Sequence, residues 1–198
     1  MPTPFDRAMA LFDAANAEDP NAEIADGQSR PKELLYAERM SAMLARFAPD
    51  ASDAVRLACR AQHIRRWAIP RSDYPMTREG YHQWRTTLYR YHADTAGVLM
   101  QQAGYDEASI EQVKKIVGKR GIKVNPETQL LEDIASLVFI EHYMQDFAEK
   151  KPDYDEEKWL TIVRKTWQKM SENGRQFALA GGIRLPQGLQ GLILKAIS

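Results

Sequence analysis

The chain has 198 residues, 44% of them apolar and 27% charged, no net charge and a single cysteine, Cys59. This is the composition of one soluble globular domain with a substantial core; it excludes an internal disulfide, and its neutrality argues against bulk electrostatic attraction to nucleic acid. The most apolar uncharged run, Ile134 to Ile140, is far too short to span a bilayer, and with no signal segment visible the expected setting is the cytoplasm, away from membranes.

Almost every segment has helical spacing, and none shows sustained alternation of apolar and polar residues. Phe5, Met9 and Phe12 mark a first helix to about Ala17. A polar loop with Asp19-Pro20 and Asp26-Gly27 follows. Pro31 suits the first turn of a helix running to about Phe47, which Pro49-Asp50 ends. Ser52 caps a central helix on which Val55, Cys59 and His63 lie four apart, so His63 shares the stripe facing the core. Pro70 ends that helix, because its ring excludes the preceding residue from helical geometry. Thr77 caps a long helix to about Ala103, closed by Gly104, with Trp84, Leu88, His92, Ala96 and Leu99 in a stripe that turns His92 inward. Asp106 starts a shorter helix to Val117.

Asn125-Pro126-Glu127 reads as an N-cap, a first-turn proline and an early acid matched to the helix dipole. The helix it opens is the most apolar in the chain, and it places Asp133 between Leu130 and Leu137 on the buried side. Asp155 to Met170 is amphipathic. Gly181-Gly182 and Pro186 precede a short apolar tail, Leu189 to Ile197. The expectation is an all-α fold: a single helical domain over residues 1–198, with six to eight helices.

Two groups of residues stand out chemically. His63, His92 and Asp133 sit on the inward faces of three long helices. Two imidazoles and a carboxylate suit a divalent transition metal with open positions for water, and such a metal would generate hydroxide and polarise a phosphoryl oxygen. The same three residues equally fit an apolar core with buried ion pairs and hydrogen-bonded histidines. A buried carboxylate demands a cation or strong donors in either case. Asp94 and Glu132 lie close in sequence as further carboxylates or bases.

The second group is cationic. Residues 56–90 carry eight arginines and no lysine, and residues 114–123 carry five bases and no acid. Arg65, Arg66, Arg71, Arg85 and Lys119 are candidates to orient phosphate, since arginine forks match its oxygens bidentately, and Trp67 could stack on a ring. The opposing reading is that these cations pair with the acid-rich stretch 127–157. No phosphate loop, nucleophile elbow, dinucleotide fingerprint or Cys-x-x-Cys pair is present.

Several runs resemble a known family. Ala61-Gln62-His63-Ile64-Arg65-Arg66-Trp67, Pro70-Arg71-Ser72-Asp73-Tyr74-Pro75-Met76, Gly80-Tyr81 with Trp84-Arg85, Gln129-Leu130-Leu131-Glu132-Asp133 and Lys165-Thr166-Trp167-Gln168-Lys169-Met170-Ser171 are similar to domain of unknown function 4202, over nearly the whole chain. That resemblance brings no established activity. A more distant, fold-level resemblance is to the HD superfamily of helical metal-dependent phosphohydrolases. These carry a histidine, then a His-Asp doublet, then an aspartate on successive helices, in the order of His63, His92 and Asp133. Here Ala93 stands in the doublet's second place, with Asp94 one position late. The resemblance implies an HD-like metal-dependent hydrolase acting on a small phosphorylated molecule such as a nucleotide, with His63, His92 and Asp133 on the metal. A non-catalytic module for an anionic ligand or, less favoured, RNA is the alternative.

Overall fold

Ten α-helices and one β-hairpin make up the main elements of the computed structural model, which describes residues 1–197. Helix α1 (Pro4–Ala17) opens with a capping box in which Thr3 and Asp6 each satisfy the other's backbone N–H. The expected polar loop after it is a hairpin. Strand β1 (Ala22–Ala25) pairs antiparallel with β2 (Gln28–Pro31), and Ala25 lies opposite Gln28. Asp26 and Gly27 connect them with φ of 50° and 75°. Two successive left-handed residues match the right-handed twist of the strands, so Asp-Gly directs a tight hairpin where alternation is too short to show.

Helix α2 (Lys32–Phe47) follows directly, and Ser52 caps α3 through the Val55 amide. Helix α3 (Asp53–Ala61) stops well short of the expected end at Pro70. Its continuation fails because side chains from elsewhere take the backbone groups it needs. Asn16 Oδ1 accepts the N–H of Arg65, and the imidazole of His92 takes the carbonyl of Ile64. The chain therefore turns at Gln62, passes Arg65 in a left-handed conformation (φ 49°, ψ 37°) and makes a single 3₁₀ turn, Arg66–Ala68. His63 thus sits in a turn just past the helix.

Thr77 caps α4 (Arg78–Ala103) as expected, and Gly104, at φ 93°, closes it. The loop before it is drawn tight, since a Cβ on Gly80 would stand 2.1 Å from the Pro75 carbonyl oxygen. Asp106 caps α5 (Glu107–Val117), and the Asn125 side chain caps α6 (Pro126–Val138) through the amides of Glu127 and Thr128. Helix α6 runs through a π turn, Phe139–Tyr143, into α7 (Met144–Glu149). Helices α8 (Glu156–Lys169), α9 (Glu172–Phe177) and α10 (Gln190–Ile197) complete the chain.

One contiguous core reaches from Ala8 to Ala196. Helix α4 packs on α1 and α5, α3 lies among α2, α5 and α6, and α10 covers α8. Ile193 and Ala196 are buried, so the apolar tail joins the core through these residues. No helix among the described residues is long and apolar enough to cross a membrane.

Candidate functional site

The early end of α3 brings two histidines together. His63 and His92 have ring centroids 5.9 Å apart. The His92 ring is almost wholly buried; its Nδ1 lies 2.8 Å from the Ile64 carbonyl oxygen and donates to it. That fixes the tautomer and leaves a lone pair on Nε2, which is buried with no hydrogen-bond partner. Burial pushes His92 down to about 3, against the opposing pull of the Ile64 carbonyl, with Arg66 and Lys119 adding to the fall. His92 is therefore a neutral acceptor at physiological pH.

His63 is held on both sides. The ring stacks on Tyr36 at 4.1 Å with planes 13° apart, and its Nδ1 lies 3.3 Å from Oε2 of Glu33. Its Nε2 faces Nη1 of Arg66, also at 3.3 Å. A guanidinium only donates, so Nε2 carries the lone pair and Nδ1–H points to Glu33. Burial, then Arg66, His92, Lys119 and Arg85, hold His63 well below its ordinary value. Glu33 is buried at the start of α2, where its amide is bound by Asp19. Burial raises its carboxyl to about 7, with Arg66 and Lys32 opposing.

Three cations converge on these rings. Lys119 is buried and pairs with the equally buried Glu132. Arg85 bonds the hydroxyls of Tyr81 and Tyr89, and Lys119 lies over the Tyr89 ring at 5.7 Å. Arg66 lies 4.7 Å over the Trp84 ring. Among the described residues neither Arg66 nor Arg85 has a carboxylate within ion-pair distance. Both cation-bearing turns are strained: Arg65 and Lys119 have φ of 49° and 54°, a region that costs a side-chain-bearing residue roughly 1–2 kcal/mol. Strain of this kind persists only where the surroundings enforce it.

The other expected site residues lie elsewhere. Both oxygens of Asp133 are taken by Ser171, the cap of α9, and by a neighbour on its own helix: Oδ1 accepts the Ser171 amide at 2.7 Å and the Gln129 side chain at 2.9 Å, and Oδ2 accepts the Ser171 hydroxyl at 2.5 Å. Strong donors thus satisfy this buried carboxylate. Asp94 is exposed on the outer side of α4, paired with Lys114 at 3.1 Å. Arg65 reaches Glu18, while Arg71 binds the carbonyls of Tyr74 and Pro75 and braces its own loop. Trp67 is half-buried in the 3₁₀ turn. Among the described residues no group of three or more His, Cys, Asp or Glu side chains is arranged to hold a metal ion.

Of the candidates, His63, His92, Arg66, Arg85, Lys119 and Glu132 come together. Glu33, Tyr36 and Tyr89 join them without having been singled out. Glu33 carries almost no sequence signal, because an acid in the first turn of a helix is explained locally by the dipole. Tyr36 carries no signal in the sequence beyond its place in the same helix.

The family model described as domain of unknown function (DUF4202) matches residues 6–193. No curated protein and no solved structure matches the chain.

Proposed function

Because the chain belongs to the DUF4202 family, and that membership carries no activity with it, we propose a function from its own side chains: it binds a small phosphorylated molecule beside His63 and His92, with Arg66, Arg85 and Lys119 gripping the phosphate. The carrying observation is that two guanidiniums without carboxylates and a buried ammonium all lie close enough to His63 to act on it, with Arg85 and Lys119 over the same Tyr89 ring. Bringing three cations out of water against two acids, Glu132 paired with Lys119 and Glu33 facing His63, is unfavourable unless an anion joins them. Phosphate is the anion whose oxygens match arginine forks bidentately.

Four of the other arginines weigh toward a small ligand over RNA. Arg56, Arg60, Arg65 and Arg71 are engaged with backbone carbonyls, Asp13 and Glu18, which narrows the basic surface a strand would track. The test is titration with inorganic phosphate and a panel of phosphomonoesters at low ionic strength, followed by calorimetry. Binding in the wild type, weakened about tenfold or more in Arg66→Ala and in Arg85→Ala, is the expected result, since charge-assisted bonds are worth about 1.5–3 kcal/mol. Absence of binding, or binding indifferent to both substitutions, would overturn the reading.

A metal-dependent hydrolase, HD-like in outline, is the second reading, and His92 favours it. An imidazole whose Nδ1–H is tied to a carbonyl while Nε2 stays bare is prepared as metal ligands are. Its reading requires a third ligand in place of Asp133, and the three cations favour an anion before a metal. One divalent ion per purified chain, lost in His92→Gln, would promote it above the first.

A further inference from the structure

We propose that His63 is the general base of this site, with Glu33 as its positioning residue and Arg66 as a latch that the ligand's phosphate releases. The inference rests on the phosphate-binding reading above and adds a reaction, hydrolysis of a phosphate monoester.

The geometry around His63 is that of a base held ready and blocked. Tyr36 fixes the plane of the ring, and Glu33 faces Nδ1, so the lone pair is on Nε2. That lone pair is occupied by Arg66 Nη1. Both contacts, at 3.3 Å, lie at the long end for hydrogen bonds, as catalytic contacts often do before substrate is present. The imidazole remains partly accessible, with 23% of its side-chain surface exposed, whereas the Glu33 side chain is at 8%. Arg66 has no carboxylate of its own among the described residues, so a phosphate oxygen is a far stronger partner for it than a neutral ring nitrogen. Moving Arg66 onto phosphate uncovers Nε2 next to the bound ester.

The step then balances with water as the co-reactant. A water oxygen bonds to phosphorus and its proton passes to Nε2. The ester P–O bond breaks with its electron pair going to the alcohol oxygen, which takes a proton from solvent. The imidazolium returns its proton to solvent, leaving an alcohol and inorganic phosphate. Glu33, opposite Nδ1–H, stabilises the imidazolium while it lasts.

The charged and titratable groups facing His63 are Glu33 and Tyr36 from α2, Arg66 from the same turn, His92 and Arg85 from α4, and Lys119 from the turn after α5. The cations oppose protonation of the ring in the free protein, and a bound phosphate offsets them. His63 should therefore become a usable base only when the ligand is in place.

Protein labelled at histidine and arginine, followed by NMR across a pH series with and without inorganic phosphate, tests this. Phosphate is expected to raise the pKa of His63 by about one unit or more in the wild type. In Glu33→Gln that rise should shrink while phosphate affinity changes less than about twofold. Turnover of p-nitrophenyl phosphate should fall at least tenfold in kcat in Glu33→Gln and more in His63→Gln, with KM little changed. If phosphate perturbs the Arg85 side-chain resonances but leaves the titration of His63 unmoved, the proposal fails and the binding reading survives. If no resonance in the cluster responds to phosphate, both fail. Equal turnover in wild type and both variants would also overturn it.

Discussion

Two places in this protein bury charge, and they solve the problem differently. At the junction of α6 and α9, Asp133 is surrounded by donors of matching number: the Ser171 amide, the Ser171 hydroxyl and the Gln129 side chain. Around His63, the acids Glu33 and Glu132 are outnumbered by Arg66, Arg85 and Lys119, and His92 keeps an unused lone pair. A satisfied buried charge holds elements together. An unsatisfied surplus has a use only when something else arrives. Both read in the sequence as polar residues on apolar helix faces, so burial alone does not separate scaffold from site; the inventory of partners does.

Within the charged cluster, Lys119 and Glu132 form an ion pair with both partners buried. Lys119→Met strands Glu132 in the interior and should cost about 3–5 kcal/mol of stability in urea unfolding. Adding Glu132→Leu should recover most of that loss. Next in size is the other region. Asp133→Ala leaves the Ser171 and Gln129 donors unmet and should cost about 2–3 kcal/mol. Hydrogen exchange should show the loss concentrated in α9. Gly174→Ala tests the same fit, because a Cβ there would lie 3.1 Å from the Asp133 carboxyl carbon.

The pH dependence sharpens the contrast, and two groups pull in opposite directions. His92 stays neutral down to about 3, whereas an unfolded histidine is protonated from about 6.5 downward. The unfolded chain binds the extra proton, so stability falls as pH drops through that window, by up to about 1.4 kcal/mol per unit. Glu33 holds its proton up to about 7 while the unfolded carboxyl releases it near 4.5, so its contribution is lost as pH rises through that range. Urea unfolding between pH 3 and 8 should show a shallower acid limb in His92→Gln. In Glu33→Gln the decline between about pH 4.5 and 7 should be smaller. The smallest effect on folding belongs to Arg66→Ala. With no ion pair to lose, it should change stability by less than about 1 kcal/mol while removing most phosphate affinity.

Much of the scaffold follows from local chemistry. Thr77 and Asn125 cap the helices they were expected to cap, Asp106 stands at the start of the helix expected from it, and Gly104 closes α4, because a cap is decided by neighbours three or four residues away. The inward direction of His92 also follows from period alone. The length of α3 does not, since Asn16 and His92 reach in from other elements to end it. The same early end set His63 in a turn beside Glu33, a partner 30 residues away that no spacing rule connects to it. Asp133 was legible as a buried carboxylate in need of donors; that Ser171, at the start of α9, would supply them depended on the tertiary path. Ten α-helices among the described residues, against six to eight expected, reflect breaks of this tertiary kind and the short α9 and α10.

The π turn at Phe139–Tyr143 has a bearing on how this chain tolerates length changes. Its Met144 amide bonds the Phe139 carbonyl, five residues back, so one residue more than an α-helix needs is housed in that turn. Each residue of a regular helix rotates the face by about 100°. The additional residue therefore sets the bearing of the end of the turn and of everything beyond it, including Tyr143, whose ring meets at 5.7 Å the Tyr36 ring on which His63 stacks. A one-residue deletion here would leave the helix intact, even more regular, yet swing its far half out of phase with α2. Circular dichroism would register nothing amiss, while Tyr36, the ring on which His63 stacks, would lose its own support from Tyr143.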